Sequence, residues 1–143
     1  MTELNKIALD VLNNTFGYSS YRYEQEKIIN SVLSGNHTLA IMPTGAGKSL
    51  CYQIPAIISS KKTIIISPLI SLMDDQVSAL KECGVQAAKI HSDMTYDERS
   101  SSWNNFKNGK EKIIYLSPEK IMSEDFLNQL KTLDIGLFVI DEI

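Results

Sequence analysis

The sequence has 143 residues, 43% of them hydrophobic and 22% charged, which is ordinary for a globular domain and excludes a disordered tail, a collagen-like fibre or a coiled coil. Its formal net charge of −3 means that any nucleic-acid site must be local rather than a generally basic surface. No apolar run reaches the roughly 18 residues of a membrane-spanning helix, and the first residues lack the apolar segment of a signal peptide, so we expect a cytoplasmic protein.

The chain alternates between helical and strand periodicity, which predicts an α/β fold built from βαβ units around a parallel sheet. Helices are predicted at 4–12, 24–34, 69–80, 96–106 and 122–133, and another from Lys48, which Pro55 should kink or end. The predicted strands are His37–Met42, Thr63–Ile66, Gln86–Ile90, Lys112–Leu116 and Leu137–Ile140. The last is fully apolar, which is typical of a central strand covered on both faces. Because no further residues of this chain are left to cover it, we expect the chain to be part of a longer protein.

A phosphate-binding loop is indicated by the run PTGAGKS, residues 43–49, between a predicted strand and a predicted helix. Its glycines allow backbone N–H groups to turn toward phosphate oxygens, and the helix N-terminus adds partial positive charge. Lys48 is the candidate ligand of the β- and γ-phosphates, and Ser49 the candidate Mg²⁺ ligand. The strict motif has glycine where this chain has Met42. The remaining candidate nucleotide-binding positions of the loop are Thr44, Gly45, Ala46 and Gly47.

An acidic pair, Asp141 and Glu142, follows the last predicted strand. In open α/β sheets, ligands bind at the carboxyl ends of the strands. Paired with the phosphate loop, Asp141 is therefore predicted to hold Mg²⁺, and Glu142 to take a proton from, or orient, the attacking water.

Two other predicted strands end in a Ser-Pro pair, Ser67-Pro68 and Ser117-Pro118. Serine is a favourable helix N-cap and proline suits the first helical turn, so helix capping alone would explain both pairs. Serine hydroxyls at a row of helix N-termini can also contact the phosphates of a nucleic-acid strand. Neither pair decides between the two interpretations.

Upstream of the loop, Gln25 lies in a segment that also contains Tyr18 and Arg22. The Gln25 amide offers a donor and an acceptor that match N7 and N6 of adenine. Tyr18 could stack on the base, and Arg22 could stack or reach a phosphate. Without the phosphate loop, an exposed polar segment would be the better interpretation.

Together these segments resemble the RecQ family of DNA helicases in helicase superfamily 2. FGYSSYRYEQEKII is similar to its adenine-recognition segment, MPTGAGKSLCYQIPA to its phosphate loop, ISPLISLMDDQV and YLSPEKI to its DNA-contact motifs, and VIDE to the start of its DExH box. The resemblance implies a RecA-like P-loop NTPase domain, truncated after the DExH strand. Residues 1–35 would form N-terminal helices carrying the adenine-recognition segment, and residues 36–143 an incomplete first motor domain.

For the parent protein the resemblance implies ATP and Mg²⁺ as cofactors, single-stranded and duplex DNA as partners, and 3′-to-5′ unwinding in repair and recombination. It also implies a bacterial, nucleoid-associated protein. A second RecA-like domain with an arginine finger, and a zinc-binding region, would lie outside this chain.

Two features limit what the chain is expected to do alone. The box reads Asp-Glu-Ile where the family usually has alanine after the acidic pair, and the only arginines are Arg22 and Arg99. An arginine finger is worth about 10³–10⁵ in rate for phosphoryl transfer, so we expect weak ATP binding and little hydrolysis. A non-catalytic nucleotide- or DNA-binding segment therefore stays open, as does a P-loop small-molecule kinase, although the chain lacks an arginine-rich lid.

Overall fold

A computed structural model of the chain describes residues 2–43 and 47–141. The chain divides into two compact units, an N-terminal unit of residues 1–59 and a C-terminal unit of residues 60–143. Within the described residues, no helix is both long enough and apolar enough to span a bilayer.

The described residues of the N-terminal unit form three helices, α1 (Glu3–Asn14), α2 (Gln25–Leu33) and α3 (Leu50–Ile58). Helix α1 begins where the Thr2 hydroxyl accepts a hydrogen bond from the backbone N–H of Asn5, as an N-cap residue does. Helix α2 is followed by Gly35, whose φ of +84° suits the left-handed end of a helix. Apolar residues at helical spacing meet in one core, namely Ala8, Leu12, Ile29 and Ile54.

Helix α3 does not end at Pro55, so of the two outcomes predicted for this proline the end is wrong and the kink stays a prediction. The helix continues through Ile58, and the backbone N–H of Ser59 donates to the Pro55 carbonyl oxygen. Proline removes one helical donor and normally costs about 3 kcal/mol in a helix interior. Residues 51–56 are all buried, and burial of this apolar stretch offsets the missing hydrogen bond.

The strand predicted at His37–Met42 is absent from the structure. Residues 36–43 have no regular secondary structure, and the side chains of Leu39 and Ile41 are 76% and 88% exposed. A strand is defined by its hydrogen-bonded partner, and none pairs with this segment in the described part of the chain. Strand propensity in the sequence is therefore not sufficient here.

The described part of the C-terminal unit contains a parallel sheet, as predicted, and the sheet has four strands. Its strands are β1 (Lys62–Ile66), β2 (Ala87–Ile90), β3 (Ile113–Leu116) and β4 (Ile135–Ile140). Their order in the sheet is β2-β3-β1-β4, and all three neighbouring pairs are parallel. The runs of β-branched isoleucine in β1 and β3 suit the two central, fully covered strands.

Four helices connect these strands, α4 (Ile70–Glu82), α5 (Tyr96–Lys107), α6 (Pro118–Ile121) and α7 (Glu124–Leu130). The helix predicted at 122–133 is present as the shorter α7, because Met122 is the C-cap residue of α6 and the Ser123 hydroxyl caps α7 by accepting from Phe126 N–H. Phe106 and Phe126 are buried against the isoleucines of the sheet, and Trp103 packs beside them.

Strand β4 lies at the edge of the sheet in this chain, and its being covered on both faces in the longer protein stays a prediction. It pairs with β1 alone, and its residues alternate between half-buried and exposed. Phe138 and Ile140 are 48% and 58% exposed.

Candidate functional site

The phosphate-loop segment runs directly into α3, as predicted. Lys48 and Ser49 form the turn before Leu50, and the backbone N–H of Gln53 donates to the Ser49 carbonyl oxygen at 2.9 Å. Ser49 occupies the N-cap position, but its hydroxyl makes no capping hydrogen bond. That hydroxyl is therefore not committed to the helix, which suits a metal ligand. Thr44, Gly45 and Ala46 lie outside the described residues.

Gly47 occupies a position that requires glycine. Its φ is +74°, and a Cβ atom added there would collide with the Gln25 amide nitrogen. A side chain at residue 47 would therefore be strained and would displace Gln25. The backbone of the loop approaches α2 at this point because residue 47 has no side chain.

Gln25 connects the predicted adenine-recognition segment to the loop. Its Oε1 accepts from the backbone N–H of Arg22 at 2.7 Å, and its Nε2 donates to the Gly47 carbonyl oxygen at 3.1 Å. The residue is only 2% exposed, so the amide is buried as well as hydrogen-bonded. In this arrangement the Gln25 amide is bound internally, and its reading of adenine stays a prediction.

The other two predicted adenine residues are accessible. Tyr18 is partly exposed, and Arg22 is exposed with its Cζ atom 5.3 Å from the centroid of the Tyr23 ring. That distance is typical of a cation–π contact. The sequence analysis did not select Tyr23, because no sequence pattern predicts that its ring contacts the guanidinium of Arg22.

The three strand-end residues of the C-terminal unit lie along one edge of the sheet. Backbone N–H groups of Asp141, Ser67 and Ser117 donate to carbonyl oxygens of the neighbouring strands, at Ile66 (2.9 Å), Leu116 (2.9 Å) and Ile90 (3.3 Å) respectively. Adjacent strands lie about 4.8 Å apart, so the row from Ser117 through Ser67 to Asp141 covers roughly 10 Å. Glu142 lies outside the described residues.

The two Ser-Pro pairs do not cap their helices as expected. Leu69, not Ser67, is the N-cap residue of α4, and the Ser67 hydroxyl is buried without a hydrogen-bond partner. Ser117 is the N-cap residue of α6 with Pro118 at the first turn, but its side chain makes no capping bond. The prediction of helix capping is therefore wrong for Ser67. For Ser117 it is right about the N-cap position but not about a capping hydrogen bond. Pro68 is exposed and Pro118 is half-buried.

A charged cluster at the end of β2 was missed by the sequence analysis. Asp74 Oδ1 accepts from Lys89 Nζ at 2.6 Å and lies 2.9 Å from His91 Nε2. Because the Asp93 backbone N–H donates to His91 Nδ1, the Nε2 atom carries the proton and donates to Asp74. Lys89 first, and His91 second, hold the pKa of Asp74 below its ordinary value. Lys89 and His91 lie 15 and 17 positions from Asp74 in the sequence, so no local spacing pattern could predict these contacts.

Comparison with known proteins assigns the family. The sequence pattern of the family described as "DEAD/DEAH box helicase" matches residues 22–143. The chain belongs to this family. It is 45% identical over 139 residues to the "ATP-dependent DNA helicase RecQ" of Pasteurella multocida and 45% identical over 136 residues to the protein of the same name in Bacillus subtilis.

These relatives are much longer than the chain. The matches cover 97% and 94% of this chain but 22% and 23% of the two relatives. Among solved structures, a hypothetical ATP-dependent RNA helicase from Sulfolobus tokodaii superposes with a TM-score of 0.66 at 17% identity, covering 98% of this chain and 50% of the other. That likeness supports the α/β fold, which is the fold predicted for the first motor domain.

Proposed function

We propose that the chain is the ATP-binding segment of the first motor domain of a RecQ-type, ATP-dependent DNA helicase. The observation that carries the proposal is the phosphate loop itself, in which Gly47 has the backbone conformation of a tight turn and leads through Lys48 and Ser49 into α3. A buried glutamine from the base-recognition segment is bonded to this loop. The family match is consistent with the same role.

Each residue of the loop has a proposed task in nucleotide binding. Backbone N–H groups of Gly47 and Ser49 are proposed to contact the phosphates, and the ammonium of Lys48 to bind the β- and γ-phosphates. Thr44, Gly45 and Ala46 stay proposed nucleotide-binding positions on the sequence motif alone. The Ser49 hydroxyl, which makes no capping bond, is the proposed Mg²⁺ ligand of the loop. Bound Mg²⁺ would supply neutralisation of phosphate charge.

The carboxylates at the end of β4 complete the proposed machinery. Asp141 is proposed to hold Mg²⁺, and Glu142 to orient the attacking water and accept its proton. Tyr18 and Arg22 are proposed to stack on or flank the adenine. Gln25 would then read adenine only after exchanging a bond to Gly47 or Arg22 for one to the base.

DNA is proposed to cross the C-terminal edge of the sheet at Ser67, Pro68, Ser117 and Pro118. The backbone ladder that aligns Ser67 with Ser117, and the unpartnered hydroxyl of Ser67, support this proposal. In the intact protein we propose 3′-to-5′ unwinding in bacterial repair and recombination, in the cytoplasm with nucleoid association. Zinc would be held by parts of that protein beyond these residues.

The decisive experiment measures ATP hydrolysis by the intact protein, with and without single-stranded DNA. The unsubstituted protein is expected to hydrolyse ATP faster when DNA is present. Lys48→Ala and Glu142→Gln should each lower the hydrolysis rate by at least about 100-fold. Lys27→Ala is the matched control, since Lys27 is an exposed lysine of α2. Hydrolysis that survives both substitutions, or that ignores DNA, would refute the helicase proposal.

A second candidate function applies to the chain by itself, namely nucleotide or DNA binding without turnover. Both arginines are engaged, Arg22 with the Tyr23 ring and Arg99 through Nη1 with the Met94 carbonyl oxygen at 2.8 Å. Neither is therefore placed as an arginine finger. ATP binding by the isolated chain with hydrolysis near background would support this candidate, and DNA-stimulated turnover near that of the intact protein would exclude it.

A further inference from the structure

A strained turn precedes α2. Among the described residues, Tyr23 is the only non-glycine residue with a positive φ, at +51°. The turn is closed by a hydrogen bond from Gln25 N–H to the Arg22 carbonyl oxygen at 3.1 Å, so Tyr23 is its second residue. Glycine, asparagine and aspartate dominate that position when φ is positive, and a bulky residue there is unusual. Such outliers cluster at ligand clamps and switch regions.

Core packing does not account for the tyrosine. Its side chain is 70% exposed, so the strain is not compensated by burial of the ring. The ring instead lies under the guanidinium of Arg22, with Cζ 5.3 Å from the ring centroid. Arg22 is thus held twice, at its backbone N–H by Gln25 Oε1 and at its guanidinium by the Tyr23 ring.

The same turn is bonded to the phosphate loop. Gln25 accepts from Arg22 N–H through Oε1 and donates to the Gly47 carbonyl oxygen through Nε2. The backbone of the residue that carries a flat cationic group is therefore joined to a phosphate-binding loop by one buried side chain within the N-terminal unit. A ligand with a planar base at one end and phosphates at the other matches this pair of features.

We propose that Tyr23 is a positioning residue for nucleotide binding, holding the Arg22 guanidinium flat so that its opposite face stacks on the base. This inference rests on the proposed ATP-binding function and adds a residue to it. Tyr23 does not touch the base in this arrangement. Because the Gln25 amide is bonded internally, initial binding of the base depends on stacking rather than on reading of its edge.

The test compares two ligands by calorimetric titration of the chain, Mg·ATP and inorganic tripolyphosphate, which lacks the base. Tyr23→Gly removes the ring and relieves the positive φ, and Tyr23→Phe keeps the ring. Tyr96→Ala is the matched control, since Tyr96 is also an exposed tyrosine. Tyr23→Gly is expected to weaken ATP binding about three- to tenfold, while Tyr23→Phe and Tyr96→Ala bind as the parent does.

Two readouts separate positioning from a structural role. Tripolyphosphate binding should be unchanged in Tyr23→Gly, and its melting temperature should not fall, because glycine adopts a positive φ without strain. Unchanged ATP binding in Tyr23→Gly would overturn the inference, as would an equal loss for both ligands or a lower melting temperature. Loss of single-stranded DNA binding with ATP binding intact would also overturn it.

Different results would refute the positioning role of Tyr23 and the proposed ATP-binding function. If the parent chain binds neither ATP nor tripolyphosphate, the proposed nucleotide site itself is wrong. If the parent chain binds both ligands equally well, the phosphate loop stands and the stacking role of the Tyr23 and Arg22 pair is wrong.

Discussion

Segment 37–42 of the N-terminal unit and strand β1 of the C-terminal unit are both predicted to be strands, but their surroundings differ. β1 is hydrogen-bonded to β3 on one side and to β4 on the other, and Ile64 and Ile65 are fully buried. In segment 37–42 the apolar side chains Leu39 and Ile41 face solvent. The difference illustrates that a segment predicted as a strand forms one where neighbouring strands supply both hydrogen bonds and cover.

The largest expected effect is a difference in the free energy of unfolding between alanine variants of two isoleucines, Ile65 and Ile41. Ile65→Ala in β1 should lower the free energy of unfolding by about 2–5 kcal/mol, because it leaves a cavity in a fully buried site. Ile41→Ala should change it by less than about 0.5 kcal/mol, because that side chain is exposed. Urea denaturation of both variants checks the contrast. A similar loss in the two would mean that segment 37–42 is packed in solution.

The parallel sheet was predictable because β-branched runs separated by helical stretches leave few alternatives. Strand bounds agree to within about two residues of those expected, as at β2 and β3. The pairing of β4 with β1 could not be predicted from its apolar sequence, because strand order depends on contacts between distant segments.

Less of the candidate site could be predicted. The run at 43–49 predicted a turn before a helix, and the Ser-Pro pairs predicted strand ends, because both are local sequence patterns. The bonds of the Gln25 amide, the positive φ of Tyr23 and the Asp74 cluster depend on tertiary packing. Residue type and spacing carry no record of them.

The second-largest expected effect is a difference in alkylation rate between the two cysteines, Cys51 in the N-terminal unit and Cys83 in the C-terminal unit. Burial raises the pKa of the Cys51 thiol to about 11, whereas Cys83 is exposed. Only the thiolate is alkylated, so Cys51 in the native chain should react with iodoacetamide at least about 100-fold more slowly than Cys83 at pH 8. Mass spectrometry of time points measures both rates, and denaturation should equalise them. Equal rates in the native chain would show that α3 is not packed as described.

The smallest expected effect tests the contact between α4 and β2. Asp74→Asn should lower the free energy of unfolding at pH 7 by about 0.5–1 kcal/mol, a modest value because the carboxylate is partly exposed. Asp75→Asn, on the same helix, is the matched control.

The pH dependence of that difference follows from the sign of the shift. The pKa of Asp74 is lower in the folded chain, so its contribution is present above the ordinary carboxyl pKa and is lost as the pH falls below about 4. The difference between parent and Asp74→Asn should therefore shrink in acid. A difference that persists unchanged at pH 3 would contradict the ion-pair account.

The central claim is that the loop ending in Lys48 binds the phosphates of a nucleotide, and calorimetric titration of the chain with Mg·ATP tests it most directly. Lys48→Ala is expected to weaken binding by about 10- to 100-fold, since it removes a charged hydrogen-bond donor, and Lys27→Ala should bind as the parent does. Equal affinities in the parent, Lys48→Ala and Lys27→Ala would contradict the claim.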